Sequence, residues 1–524
     1  MMESMAIFPL LFALAFGGFG GGDLLDLMTC DGYWKAKQVT VTPEQLAADA
    51  KAPPAPADIG PLVKDLGSEQ FKVRQEAREK IEAMGPAVLE QVLPLAKAKD
   101  QEVAAIAQEL IETFTKHARE REVRRLMAIR TLGEKKEKSG LPVLRDALTS
   151  KDLFVADYAS KAIALIEGTP VPARVRADTS KDAWRLPADL CAVIHVGGAG
   201  SGEFPTIEKL VTQMPMEFGP AAEGGPDPRK MMVDEAYKSM LGVIERIGNA
   251  RVDGLTVGVA ADIGDAHDNA PPAKEDAPAA PPEDSGFVAL IARGTFDHAA
   301  VVAALAEAAH DQVKITLDGD AHVLTAEGHA MGRLIGNNLA AVVVGPDDKH
   351  MKAPAALLKA SLAAEGAKGT LADGPLAADA KTLDMKGPVW GLLKPTASMK
   401  KNAAFLACYD RITLSTARTE KEIAFTITAE GTDAEAIKAS VENVKAQLKT
   451  AAESVKPMIE QMPAMKVYAD VIESIQIEAT PTKAMLKGKL PADMGVFFSG
   501  AMMGISLPAP GAAEAPRPLR RKAA

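Results

Sequence analysis

The 524-residue chain carries 60 Lys and Arg against 70 Asp and Glu, a formal net charge of −10 that argues against general binding to nucleic acid or anionic membranes. Hydrophobic residues at 47% and charged residues at 25% exclude a globally disordered chain. The length exceeds what one core organises, and aromatics at 4% leave the cores to Ala, Leu, Ile, Val and 22 Met.

Residues 6–16 (AIFPLLFALAF) are apolar and as long as a signal-peptide core, too short to cross a bilayer alone. Ala13-Leu14-Ala15 and the glycines of 17–22 offer small-residue cleavage sites. The residues before the apolar run hold Glu3 and no Lys or Arg, while Lys35 and Lys37 follow it, the reverse of the usual charge bias. Residues 1–29 are expected to be a signal peptide or N-terminal anchor, which places the protein in the cell envelope, periplasmic or membrane-anchored; the alternative is cytoplasmic. Leu27-Met28-Thr29-Cys30 has the outline of a lipoprotein processing box, making Cys30 a possible lipid attachment site. Residues 30–57 become Ala- and Pro-rich from position 38 onward and read as a linker.

Helical periodicity begins at 58. Phe71, Arg74, Ala77, Ile81 and Met84 fall on one face at steps of three and four, Gly85-Pro86 breaks the helix, and 88–96 forms its partner. A third helix opens after Asp100 and buries Val103, Ile106, Leu110 and Phe114. About 51 residues later Arg125-x-x-Ala128, Leu132-Gly133, Gly140-Leu141-Pro142 and Asp152-x-x-Val155 occupy corresponding places, ending at Gly168. On these residues the region 58–168 resembles HEAT repeats of the armadillo-like helical class. The resemblance implies an α-α solenoid whose stacked helix pairs present a protein-binding surface.

Past 169 the period changes. Strands are expected at 190–196, 252–263 and 287–293, a helix at 297–309, a hairpin at 313–317 and 322–326, and a buried strand at 334–344. The acidic Pro/Ala stretch 265–285 reads as a disordered loop inserted between two strands. The second half repeats the order: a strand at 389–393, a hairpin at 411–415 and 422–428, helical sequence over 433–475, and strands at 475–479 and 484–490. RGTFDHAAVVAAL at 293–305 matches EGTDAEAIKASV at 430–441, each a strand ending in Gly-Thr with an Asp to cap the next helix. The expected architecture is therefore multi-domain: a helical array, then a duplicated α+β region with mixed, mainly antiparallel sheets, unit 1 over 169–346 and unit 2 over 347–504. This order is similar to that of uncharacterised secreted bacterial α+β proteins. Residues 505–524 form a disordered Pro/Ala tail with Arg517, Arg520, Arg521 and Lys522.

No motif nominates a catalytic, cofactor or metal site. The three cysteines, Cys30, Cys191 and Cys408, form no spaced pair, and no two histidines stand at helical spacing for a shared ion. The Gly-rich turn 197–202 follows a strand but lacks the spacing and lysine of a phosphate loop, and Ser201 near His195 is not set in a nucleophile elbow. Asp318, Asp320 and His322 surround a tight turn, and Asp347, Asp348 and His350 precede a helix, where turn and cap chemistry account for them. The stretch 116–138 holds nine basic residues against four acidic ones. Its Arg119, Arg121, Arg124 and Arg125 read as a solvated helix face or, functionally, as a docking ridge for an acidic partner.

The expected function is a non-enzymatic protein-interaction or scaffold protein of the bacterial cell envelope. It would use no cofactor, bind no nucleic acid, take an unidentified protein partner and touch a membrane only through its N-terminus. The alternative is a lipid or protein carrier using the α+β region, suggested by Met214, Met216, Met231, Met232 and Met240. An enzyme is the least supported class.

Overall fold

The computed structural model describes residues 23–53, 56–172, 174, 179–187, 189–197, 206–209, 227–260, 286–309, 313–326, 330–336, 338–345, 348–362, 371, 374–383, 385, 387–419, 421–461 and 466–491. The expected loop 265–285 and tail 505–524 lie outside them.

Helices dominate the first third: α1 (Cys30–Ala36), α2 (Pro43–Asp49), α3 (Gly60–Leu66), α4 (Phe71–Met84), α5 (Leu89–Val92), α6 (Gln101–Glu134), α7 (Leu141–Ala147) and α8 (Leu153–Glu167). The segment expected to be a linker is instead two capped helices. Thr29 caps α1 and Thr42 caps α2 by accepting from backbone N–H groups, and Tyr33, Trp34 and Leu46 are buried against α6. Composition misled here because three large apolar side chains outweigh the surrounding Ala and Pro once a neighbouring helix is present to cover them.

The blocks carrying the HEAT-like motifs share one helix. The 34-residue α6 runs from the Asp100 cap through Arg125-x-x-Ala128, so the last helix of the first block and the first of the second are one. Its first half closes a small core with α3 and α4 around Ile59, Ile81, Leu110 and Phe114, while its second half packs on α8. The α6–α8 crossing depends on Gly133, where a Cβ would sit 2.6 Å from the backbone Cα of Ala162. Gly168 ends α8 in the left-handed conformation, φ 70°.

The remaining described helices are α9 (Pro228–Ile247), α10 (His298–Ala309), α11 (Asp348–Leu362), α12 (Ala377–Ala380), α13 (Ala397–Asn402), α14 (Ala434–Gln461) and α15 (Lys466–Ser474). The strands are β1 (Leu190–Gly197), β2 (Arg251–Ala260), β3 (Val288–Thr295), β4 (Val313–Asp318), β5 (Ala321–Ala326), β6 (Ala330–Ile335), β7 (Leu339–Val344), β8 (Val389–Leu393), β9 (Arg411–Arg418), β10 (Glu422–Glu430), β11 (Gln476–Thr480) and β12 (Lys483–Pro491). The fold is mixed α+β.

All twelve strands join one antiparallel sheet in the order β11-β12-β10-β9-β8-β1-β2-β3-β7-β6-β5-β4. The expected separate units 169–346 and 347–504 therefore share a sheet: β1 pairs with β8 from Ala192↔Leu393 to Val196↔Val389. The expected buried strand 334–344 is two strands, β6 and β7, reversed at Gly336 with φ 52°. Gly336-Asn337-Asn338 was the available turn signal, masked by the apolar residues on both sides.

The acidic loop leaves a closed ladder behind it. Val259 pairs with Val288, and the Ala260 N–H donates to the Phe287 carbonyl at 2.9 Å. Joining 264 to 286 by a short turn is expected to leave the melting temperature within about 2 °C, since loop-closure entropy changes slowly with length. A loss of more than about 10 °C on deletion, read by circular dichroism, would mean that the loop packs on the fold.

Candidate functional site

The ladder registers align one residue from every strand into a single row across the sheet. It runs Ile315, Leu324, Gly332, Val342, Leu290, Val257, Ile194, Gly391, Leu414, Ile427, Leu486 and Ile477. Apart from two glycines, each is Ile, Leu or Val, so this whole face needs a cover of apolar side chains. Cover is present at the two ends. Helix α10 packs at the β4 end, and α14 and α15 pack on β11 and β12. Over β8, β1, β2 and β3 the side chains of Ile194, Val257 and Leu290 are only half-buried, as is Val342 beside them. The neighbouring row of Ala192, Val259 and Val288 is also half-buried, and Val344 is 44% exposed. Those four strands span about 15–20 Å at the usual strand spacing. The opposite face is closed in this region by the 3-10 turn Ser180–Arg185 and by α11, over Val193, Ile291, Trp390 and Leu392.

A buried ionic junction ties the helical layer to the sheet. Asp23, fully buried, accepts from Nε of Arg251 at 2.7 Å, and Arg251 reaches Asp157 through Nη2 at 2.6 Å. Asp26 accepts from the Tyr158 hydroxyl at 2.9 Å and from Arg174 at 2.8 Å. Arg130 donates to the carbonyls of Leu25 and Met28 at 2.8 and 2.7 Å. Burial pushes the Asp23 carboxyl above its ordinary value, with Asp26 beside it adding to the rise. Burial acts on Asp26 too, but Arg174 and Arg130 outweigh it and hold that acid below 3.8. A lowered carboxyl contributes stability above its unfolded pKa that is lost as pH falls further, and the raised Asp23 opposes that trend.

This junction bears on two sequence expectations. Cys30 is buried at the first position of α1, and burial pushes its thiol up to about 12. Processing before Cys30 would also remove Asp23, Leu24, Leu25, Asp26 and Met28, all of them buried. Residues 6–16 lie outside the described residues, among which no helix is long and apolar enough to cross a membrane.

The basic ridge is likewise occupied within the fold. Arg119 donates to the Arg246 carbonyl at 2.8 Å, Arg124 to Asp49 at 2.9 Å with its guanidinium over the Trp34 ring, and Arg125 to the Ala50 carbonyl at 3.1 Å. Three of the four cations hold α6 to α2 and α9, leaving Arg121 without such a bond among the described residues. Their alternation with Glu120 and Glu122 suggested a solvated face because the partners, Trp34 and Asp49, sat in sequence read as a linker.

Glu122, half-buried in this stretch, is pushed up to about 7 by burial and by Asp152 and Asp297. A carboxyl raised in the fold stabilises below its unfolded pKa, and that contribution disappears as pH rises through about 7. Glu122→Gln is therefore expected to match the parent at pH 5 and exceed it at pH 9, by at most about 3 kcal/mol. Urea midpoints at the two pH values decide it; a gap independent of pH would refute the assignment.

The remaining candidates have structural roles. His195 is buried between Thr179 and Thr256, 3.2 and 2.8 Å from their hydroxyls, and stacks on Trp390 with ring centroids 5.1 Å apart. Ser201 lies outside the described residues, as does Asp347. Asp318 pairs with Arg333 and Lys359, while His322 meets His298 at 2.8 Å rather than a carboxylate. Met232 and Met240 pack on the main core beside Tyr237. Among the described residues no group of three or more His, Cys, Asp or Glu is placed to hold a metal ion.

No protein-family model matches the chain, and no curated protein matches it. Among solved structures, crystal form III of TP0453 aligns with a TM-score of 0.30 at 9% identity, over 60% of this chain and 96% of that one. Crystal form I of TP0453 gives 0.30 at 10% identity, over 63% and 99%. Likeness at that level carries no argument about this chain.

Proposed function

We propose that this chain is a non-enzymatic protein-interaction protein whose working surface is the aliphatic middle of the sheet. The supporting observation is the half-buried patch of Ile194, Val257, Leu290 and Val342, set between helices that cover the same face at both ends. A gap of about 15–20 Å between flanking helices accepts one or two helices of about 10 Å diameter. The partner is an amphipathic helix laid into that gap with its apolar stripe on β1, β2 and β3. A photo-crosslinker at Val257 tests this. A link to a second chain that disappears in folded Leu290→Glu supports the reading, and a link only to the protein's own chain overturns it.

Two finer readings go with this proposal. The helical third is a HEAT-like array, supported by the matching roles of Asp100 and Asp152, each of which accepts from the second and third N–H groups of the helix it caps. The α+β region is an internal duplication, supported by strand order. Counted outward from the β1–β8 ladder, both halves run first, second, third, last and last but one, and the first half then adds β5 and β4. Placement in the cell envelope is part of the proposal and rests on the apolar run 6–16.

A further inference from the structure

On the opposite face from the aliphatic row, α11 does not close fully onto the sheet. A cleft of about 370 Å³ remains between the helix and β4–β7. Its floor is Val323, Met331, Ala341 and Val343 of the sheet, and the helix contributes Leu358 together with Ala355 and Ala356, whose short side chains leave the space unfilled. Thr316 and Asp318 of the edge strand β4 also line it.

The charged residues lining this cleft are Arg333, Lys352 and Lys359 against the single carboxylate of Asp318. Three cations facing one anion leave a local surplus of two positive charges, in a chain whose net charge is −10. Asp318 shows how the rim treats a carboxylate. It takes a hydrogen bond from Arg333 at 2.8 Å and an ion pair from Lys359 at 2.5 Å, which hold its carboxyl down at about 2. Lys352, about two helical turns before Lys359 on α11, lines the cleft, is exposed, and pairs with no carboxylate among the described residues.

We propose that this cleft binds a single-chain alkyl carboxylate, with the chain on the Val323–Val343 floor and the head group between Lys352 and Lys359. An apolar floor with a few convergent polar groups at one end is the form that small-ligand sites take. A monovalent carboxylate suits the rim because a carboxylate already occupies half of it, and the second half is the cation left over. The site is separate from the patch on the other face, and the ligand class does not depend on that patch having a partner.

The test is calorimetric titration of the full chain with dodecanoate below its micelle concentration, with dodecyl maltoside as the uncharged comparison. Dodecanoate is expected to bind one site and the maltoside at least about tenfold more weakly, as loss of a charge-assisted contact implies. Lys352→Glu with Lys359→Glu is expected to weaken dodecanoate by about tenfold or more, and Ala356→Phe, which enlarges a side chain lining the cleft, to abolish it. Circular dichroism confirms folding of each variant. Leu290→Glu, on the far face, is expected to leave dodecanoate binding unchanged. Absence of binding to the parent chain, equal affinity for the uncharged amphiphile, or binding lost in Leu290→Glu but kept in Ala356→Phe would each overturn the proposal.

Discussion

A chain that begins at Cys30 is expected not to reach the native state, whereas one that begins at Gly22 keeps the Asp23–Met28 segment and folds. The shorter chain loses Leu24, Leu25 and Met28, each at most 1% exposed. Burying such side chains contributes about 1.5–3 kcal/mol apiece. It also leaves Arg174 without either of its carboxylates, Asp23 and Asp26, and Arg251 with Asp157 alone, and an orphaned buried charge costs about 3–5 kcal/mol. Together these losses match the whole stability of a typical domain, about 5–15 kcal/mol. Urea denaturation of the two truncations side by side is the measurement. An unchanged midpoint for the Cys30 chain would mean that the junction is dispensable, and processing before Cys30 would again be open.

The second large effect is expected from Trp390→Ala. Trp390 is 1% exposed, lies in the core under α11 and stacks on His195. It sits on β8 directly opposite His195 on β1, so its removal opens a cavity at the seam where the two halves of the sheet meet. Large-to-small changes of this kind cost about 3–5 kcal/mol. Trp390→Phe should cost much less, because the ring stack survives and the indole N–H it removes has no hydrogen-bond partner. Equal destabilisation by the two variants would locate the contribution of Trp390 in the indole N–H rather than in packing.

Strands and hairpins were legible because alternation with period two and Asp-Gly or Gly-Asn turns are local signals. The expected 411–415/422–428 hairpin is found as β9 and β10, and the expected pair at 475–479 and 484–490 as β11 and β12. Three features were not legible. The role of 23–49 depends on contacts with Arg130, Arg174 and Arg251, which are 100 or more residues away. The continuity of α6 was hidden because Arg125-x-x-Ala128 matches the opening helix of a second block, although it lies within the same helix as Val103–Phe114. The union of the two halves in one sheet is a matter of the β1–β8 register, which no local pattern encodes. The aliphatic row could have been suspected from the strands one at a time, but its alignment across twelve of them is a property of register alone.

That register also bears on synthesis. Once β1 has emerged from the ribosome, the β8-facing edge of LCAVIHV has no partner until β8 is made roughly 200 residues later. At about 5–20 residues per second that interval lasts about 10–40 s. During it the nascent chain displays an unpaired aliphatic strand edge, the kind of surface that templates pairing between neighbouring chains on a polysome. Slow translation across 198–388 would lengthen the exposure, so yield of soluble protein should respond to codon choice in that interval more than to codon choice after β8.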